Sequence, residues 1–215
     1  MFTKILNILY PKFCFNCGKE GTYLCQDCQS TMAILDTHKI CKTANLKDLY
    51  WALPYQGNLI KNLIRKFKYE PFIKELAIPL TSLIINHFQL IEKSFADFSN
   101  FILIPVPLEK RKIKWRGFNQ AEEIGKELAK LLKIPLVSDC LIKTKETLPQ
   151  VKFKKEKRKE NLKEAFSIKN KKQVSGRKIL LIDDVYTTGS TMEESAHVLK
   201  DAGATEIIGV VVARG

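Results

Sequence analysis

Two rhythms of apolar positions run through the chain. Continuous apolar runs at 101–107 (FILIPVP), at 179–182 and in the terminal EIIGVVVA read as strands covered on both faces, as in a parallel sheet. Helical spacing instead marks Leu59, Ile60, Leu63, Ile64 and Phe67 after a break at Gly57, with Lys61, Arg65, Lys66 and Lys68 on the opposite face, which is either solvated or anion-binding. Ala121, Ile124, Leu128, Leu131 and Leu132 repeat that spacing; further helices are expected at about 79–91 and at 192–202, the last stopped by Gly203. Shorter strands are expected near 50–55, in IPLV and in CLIKT, and residues 101–107 are expected to open the main sheet. Strands alternating with helices predict an α/β fold, a mostly parallel sheet flanked by helices.

A length of 215 residues suits one medium domain with a small appendage. The formal charge of +13 points to an anionic partner without choosing among nucleic acid, a phosphorylated metabolite and an acidic membrane surface. Much of it lies in 143–178, where fourteen Lys or Arg stand against four Glu, with Phe153 and Phe166 interspersed: a solvated loop or a binding arm. The opening MFTKILNILY reads as a packed helix, because Pro11 and a cysteine pair follow it and no small-residue cleavage site does. No segment offers the roughly 20 apolar residues that cross a bilayer, so a cytoplasmic protein is expected, with peripheral membrane contact left open.

Four of the six cysteines, Cys14, Cys17, Cys25 and Cys28, form two C-x2-C knuckles. Each knuckle grips a metal with two thiolates, and two knuckles complete a closed tetrahedral shell, which makes a zinc site structural. Two disulfides or redox pairs are the alternative, disfavoured in a reducing compartment. Cys41 and Cys140 read as small buried hydrophobes, with Cys41 or His38 in reserve as a substitute ligand; His87 and His197 have no metal spacing.

The stretch KILLIDDVYTTGSTM carries the chemistry. Asp183 and Asp184 emerge at the carboxyl end of an apolar strand, where open α/β sheets bind ligands, and Thr187, Thr188, Gly189, Ser190 and Thr191 lead into a helix with hydroxyls and free N–H groups for an anion. The lysine of a Walker loop is missing, and so is a G-x-G-x-x-G turn. Adjacent carboxylates suit a vicinal diol, and a phosphate fits the turn; a ribose 5-phosphate satisfies both.

ILLIDDVYTTGST resembles the phosphoribosyl diphosphate (PRPP) motif of type I phosphoribosyltransferases. The resemblance implies that Asp183 and Asp184 hold the ribose hydroxyls, that the run Val185, Tyr186, Thr187, Thr188, Gly189, Ser190 and Thr191 completes the site around the 5-phosphate, and that Mg2+ accompanies PRPP. Lys110, Arg111, Lys112 and Arg116 fall where that fold places its diphosphate loop; structural or DNA-facing charges are the alternative.

Together with the four-cysteine module, YQGNLIKNLIRKFKY, PVPLEKRKIKWRGFNQA, LPQVKFKKEKRKENLKEAF and VVARG resemble the ComF competence family, of the ComFC type, over nearly the whole chain. That resemblance implies a small zinc-ribbon-like module (1–43), a helical connecting or hood region (44–100) and a phosphoribosyltransferase-like domain (101–215). It also implies a role in uptake of single-stranded DNA during natural transformation, with uptake machinery at the inner face of the membrane as a partner. Basic residues that release counterions beside aromatic faces that stack on unpaired bases nominate Lys114 and Trp115, and Lys152, Phe153, Lys154, Lys155, Lys157, Arg158 and Lys159, for DNA contact, although aromatics in these places also serve as core. The alternative function is an enzyme transferring phosphoribosyl to an unidentified acceptor in nucleotide salvage or synthesis. The last strand has no C-terminal hood after it, so cover for the cleft is expected from the N-terminal region.

Overall fold

The structure, a computed structural model, describes residues 11–144 and 165–215. The helix expected at the N-terminus and the DNA candidates Lys152, Phe153, Lys154, Lys155, Lys157, Arg158 and Lys159 lie outside the described residues.

Its centre is a four-stranded sheet, all parallel, built from β1 (Asp48–Pro54), β2 (Phe101–Pro105), β5 (Lys178–Tyr186) and β6 (Glu206–Arg214) in the order β1-β6-β5-β2. The separate β3 (Leu141–Lys143) and β4 (Phe166–Ile168) form a two-stranded antiparallel ribbon. The apolar runs are explained by cover on both faces. Along β5, Leu180 and Ile182 enter one core layer while Ile179 and Leu181 enter the other, and all four are fully buried.

After the short α1 (Gln26–Ser30), the helices α2 (Asn58–Lys68), α3 (Ala77–Leu90) and α5 (Gln120–Leu132) bury their apolar stripes in the first layer. The second layer takes α6 (Ser190–Asp201) through Met192, Ala196 and Leu199, together with the ribbon. Between β2 and α5 lies α4 (Lys110–Arg116), none of whose residues is buried. It ends at Gly117, whose φ of 84° turns the chain into Asn119, the N-cap of α5.

Two expectations need correction. The main sheet does not begin at residue 101, because β1 pairs with β6 from Asp48↔Ile208 to Pro54↔Arg214. The 44–100 segment therefore supplies an edge strand as well as helices, a long-range pairing that local periodicity does not reveal. IPLV makes only an isolated bridge, Leu103↔Leu136, whereas CLIKT supplies the short strand expected of it, β3 of the ribbon.

In the cysteine module, Gly18 adopts φ 74° in the first knuckle and Cys25 caps α1, its sulfur accepting from Cys28 N–H at 3.4 Å. The knuckles pack on α2 and its flank, with Lys66 Nζ 4.5 Å from the centre of the Phe15 ring and Lys12 Nζ 3.7 Å from Glu75 Oε1.

Candidate functional site

Because β2 and β5 run parallel, their carboxyl ends open together on one edge of the sheet, into a cleft of about 490 Å3. Asp183 and Asp184 stand there, with Val185 through Thr191 along one wall. Asp183 turns back to accept the N–H of Asp184 at 2.8 Å. Burial, reinforced by repulsion from Asp184, pushes the Asp183 carboxyl up to about 7, against the pull of Lys68. An incoming cation or a hydroxyl donor would relieve that strain.

Beyond the acids, Gly189 sits at φ 76° and starts α6 without any side-chain cap on its first N–H groups. Thr188 Oγ1 and Ser190 Oγ are 3.1 Å apart in the same turn. Glycine is required at 189 twice over: the backbone is left-handed, and a Cβ would run into the Tyr186 ring. That ring is itself held, since the Arg214 guanidinium lies 5.6 Å from it and 4.5 Å from the Trp51 ring, and Gly215 N–H bonds Tyr186 O at 2.9 Å. The result is an uncapped helix start behind a braced turn, a shape that receives an anion.

The facing wall is cationic. Lys68, at the end of α2, places Nζ 2.8 Å from Asp184 Oδ1; burial opposes its charge, but Asp184 and Asp183 hold its pKa above the ordinary lysine value. Arg116 hydrogen-bonds Gln120 Oε1, and burial lowers its pKa while Asp184 pulls the other way. Lys112 lies 3.7 Å from Glu109 Oε2, and Lys143 is lowered by burial and by Lys112. All four line the cleft. Four cations around two acids suit a ligand with several negative charges and a diol.

Of the residues nominated for the diphosphate loop, Lys112 and Arg116 reach the cleft, whereas Lys110 and Arg111 are exposed and do not line it. Trp115, nominated for DNA, lines the cleft too, and Lys114 is exposed outside it. Lys68, Tyr69 and Lys143 were not nominated. In the sequence Lys68 is one charge of a solvated or anion-binding helix face; its partner Asp184 is far along the chain, and no spacing rule reports such a meeting.

The four cysteine sulfurs lie within 4.8 Å of one another, and tetrahedral zinc–thiolate bonds require about 3.8 Å between sulfurs, so the set fits zinc. Burial works against the Cys14 thiolate, yet N–H groups of Cys17, Cys25 and Asn16 outweigh it and bring the thiol down to about 6. Neither reserve ligand is needed. His38 Nε2 is 2.8 Å from Asp48 Oδ2, and Cys41 Sγ accepts from Arg214 at 3.3 Å. Buried Cys140 is raised to about 11 by desolvation, as for an inert thiol, and His87 Nδ1 is 2.7 Å from Leu35 O.

Residues 119–215 match the phosphoribosyl transferase domain family, and residues 5–47 match the double zinc ribbon domain. The sheet and its helices are accordingly a phosphoribosyltransferase-like fold, and the four-cysteine cluster is a zinc-type site. The chain is 28% identical over 198 residues to Competence protein F of Haemophilus influenzae, covering 91% of this chain and 81% of that protein. It is 28% identical over 218 residues to Competence protein ComFC of Bacillus subtilis, covering 93% and 83%. With the DNA utilization protein YhgH of Shigella flexneri it shares 37% identity over 105 residues, covering 49% and 45%.

Proposed function

We propose that this chain, 28% identical to two competence proteins over more than four fifths of their length, acts as a ComF-family competence protein that binds Mg-PRPP and single-stranded DNA in DNA uptake during natural transformation. The observation that carries the first half is the meeting, in one cleft, of the Asp183–Asp184 pair with the uncapped start of α6. The carboxylates accept the two ribose hydroxyls, and the turn from Thr187 to Thr191 donates N–H and hydroxyl groups to the 5-phosphate. Lys112, Arg116 and Lys143 face the diphosphate. Two adjacent carboxylates in a cleft are hard oxygen donors that suit Mg2+, which supplies charge neutralisation at the diphosphate when bound.

The second half rests on charge and on family. The formal charge of +13 favours a polyanion, and the relatives are a competence protein and a DNA utilization protein. No helix among the described residues is long and apolar enough to cross a membrane. The proposed place of work is the cytoplasm, at the inner face of the membrane, beside the uptake machinery.

Titration with labelled PRPP in Mg2+ and, separately, with an unpaired oligonucleotide at low and raised salt tests both halves. Both ligands bind at low salt, and DNA binding weakens as salt rises. An oligonucleotide that fails to bind at low salt would contradict the DNA half. Turnover of PRPP with a defined base would instead establish a phosphoribosyltransferase acting on that acceptor.

A further inference from the structure

Beside its cations, the wall of the cleft that carries Lys68 and Arg116 also carries two large aromatic residues. Tyr69 and Trp115 both line it, yet they remain 53% and 55% exposed, an unusual state for two large aromatic residues in a concave surface. Trp115 is held edge-on by Phe72, with ring centres 4.8 Å apart, and the Arg116 guanidinium lies 5.9 Å from the Tyr69 ring. Arg116 Nε is buried and finds no acceptor among the described residues, although Arg116 also bonds Gln120. A buried N–H of this kind ordinarily has a partner.

From this wall we infer a nucleobase subsite: an unpaired base stacks on Trp115 and Tyr69 at the mouth of the cleft and offers a ring or carbonyl acceptor to Arg116. The inference deepens the nucleic-acid half of the proposed function by placing one base beside the donor cleft. A flat aromatic ligand satisfies both features, since its faces match the two rings and its edge carries acceptors. A strand is the favoured source of the base. Lys110, Arg111 and Lys114 stand exposed on the same short helix as Trp115, a row of cations for the phosphates on either side of a stacked base. Arg116 is suited to the role because its planar guanidinium both stacks and donates.

The test compares an oligothymidylate with an abasic strand of equal length on the full chain without PRPP, so that failure of PRPP binding in its own titration overturns the donor reading alone. Trp115→Ala weakens oligothymidylate binding roughly tenfold, from the worth of one stacked base, while Trp115→Phe restores most of it. The abasic strand binds wild type and Trp115→Ala alike. Because the chain has two tryptophans, a Trp51→Phe background makes Trp115 the single reporter, and its fluorescence is quenched by the oligonucleotide. Quenching by free thymidine at comparable concentration would assign the same subsite to a free nucleoside instead of a strand base. Equal oligothymidylate affinity for wild type and Trp115→Ala, or no quenching by either ligand, would overturn the subsite.

Discussion

Lys68 Nζ lies 2.8 Å from Asp184 Oδ1, joining a helix that precedes most of the sheet to the acid pair at the end of β5. Without a ligand, this ammonium is the cation paired with the Asp184 carboxyl group, whose side chain is only 5% exposed. Lys68→Met removes it. Breaking a buried pair costs several kcal/mol, and since the Lys68 side chain is 29% exposed a screened loss of about 1–2 kcal/mol is expected, a fall of about 2–8 °C in Tm. Thermal unfolding with and without Mg2+ checks the role: the ion recovers part of the loss in the variant and shifts wild type less. Equal shifts in both proteins would remove Lys68 from the site.

Gly189→Ala places a methyl group where the Tyr186 ring already lies, on a backbone at φ 76°. The left-handed conformation alone costs about 1–2 kcal/mol, and relieving the collision means swinging the ring off its place beside Arg214. The turn is then misplaced for phosphate, and PRPP affinity falls by more than tenfold, by calorimetry, while the far-ultraviolet dichroism stays that of wild type.

The raised carboxyl of Asp183 gives a pH dependence with a definite sign. Between its ordinary value and about 7, the folded state holds a proton that the unfolded state has released. Stability of the ligand-free protein therefore declines as pH rises through that window. Binding of Mg-PRPP needs the carboxylate, so affinity rises as pH increases through about 7, with proton release on binding below it. Calorimetry in two buffers of different ionisation enthalpy reads both quantities. In Asp183→Asn the slope disappears.

Zinc content of freshly purified, reduced protein is about one ion per chain. Its removal by a chelator loosens the knuckles that Lys66 and Lys12 bridge to α2 and its flank, so hydrogen exchange rises first in 11–43 and next in α2, ahead of β5. Exchange unchanged after metal removal would mean that the cysteines serve no structural ion.

What was legible in the chain was local. Ile179, Leu180, Leu181 and Ile182 announce a strand covered on both faces because each is buried by a layer the run itself demands, and the acids and turn follow within the same few residues. The cysteine knuckles are legible for the same reason. The strand near 50–55 is legible, but its pairing with β6 and the meeting of Lys68 with Asp184 are not, because those partners come from the far end of the chain. The sequence assigns Trp115 to DNA and Arg116 to a diphosphate, and it is the fold that sets both, neighbours at the end of α4, against one cleft.

Calorimetric titration of Mg-PRPP into wild type and into the double variant Asp183→Ala with Asp184→Ala tests the donor site most directly. Saturable binding to wild type and at least a hundredfold loss in the folded double variant is the predicted result. Unchanged affinity in the double variant would contradict it.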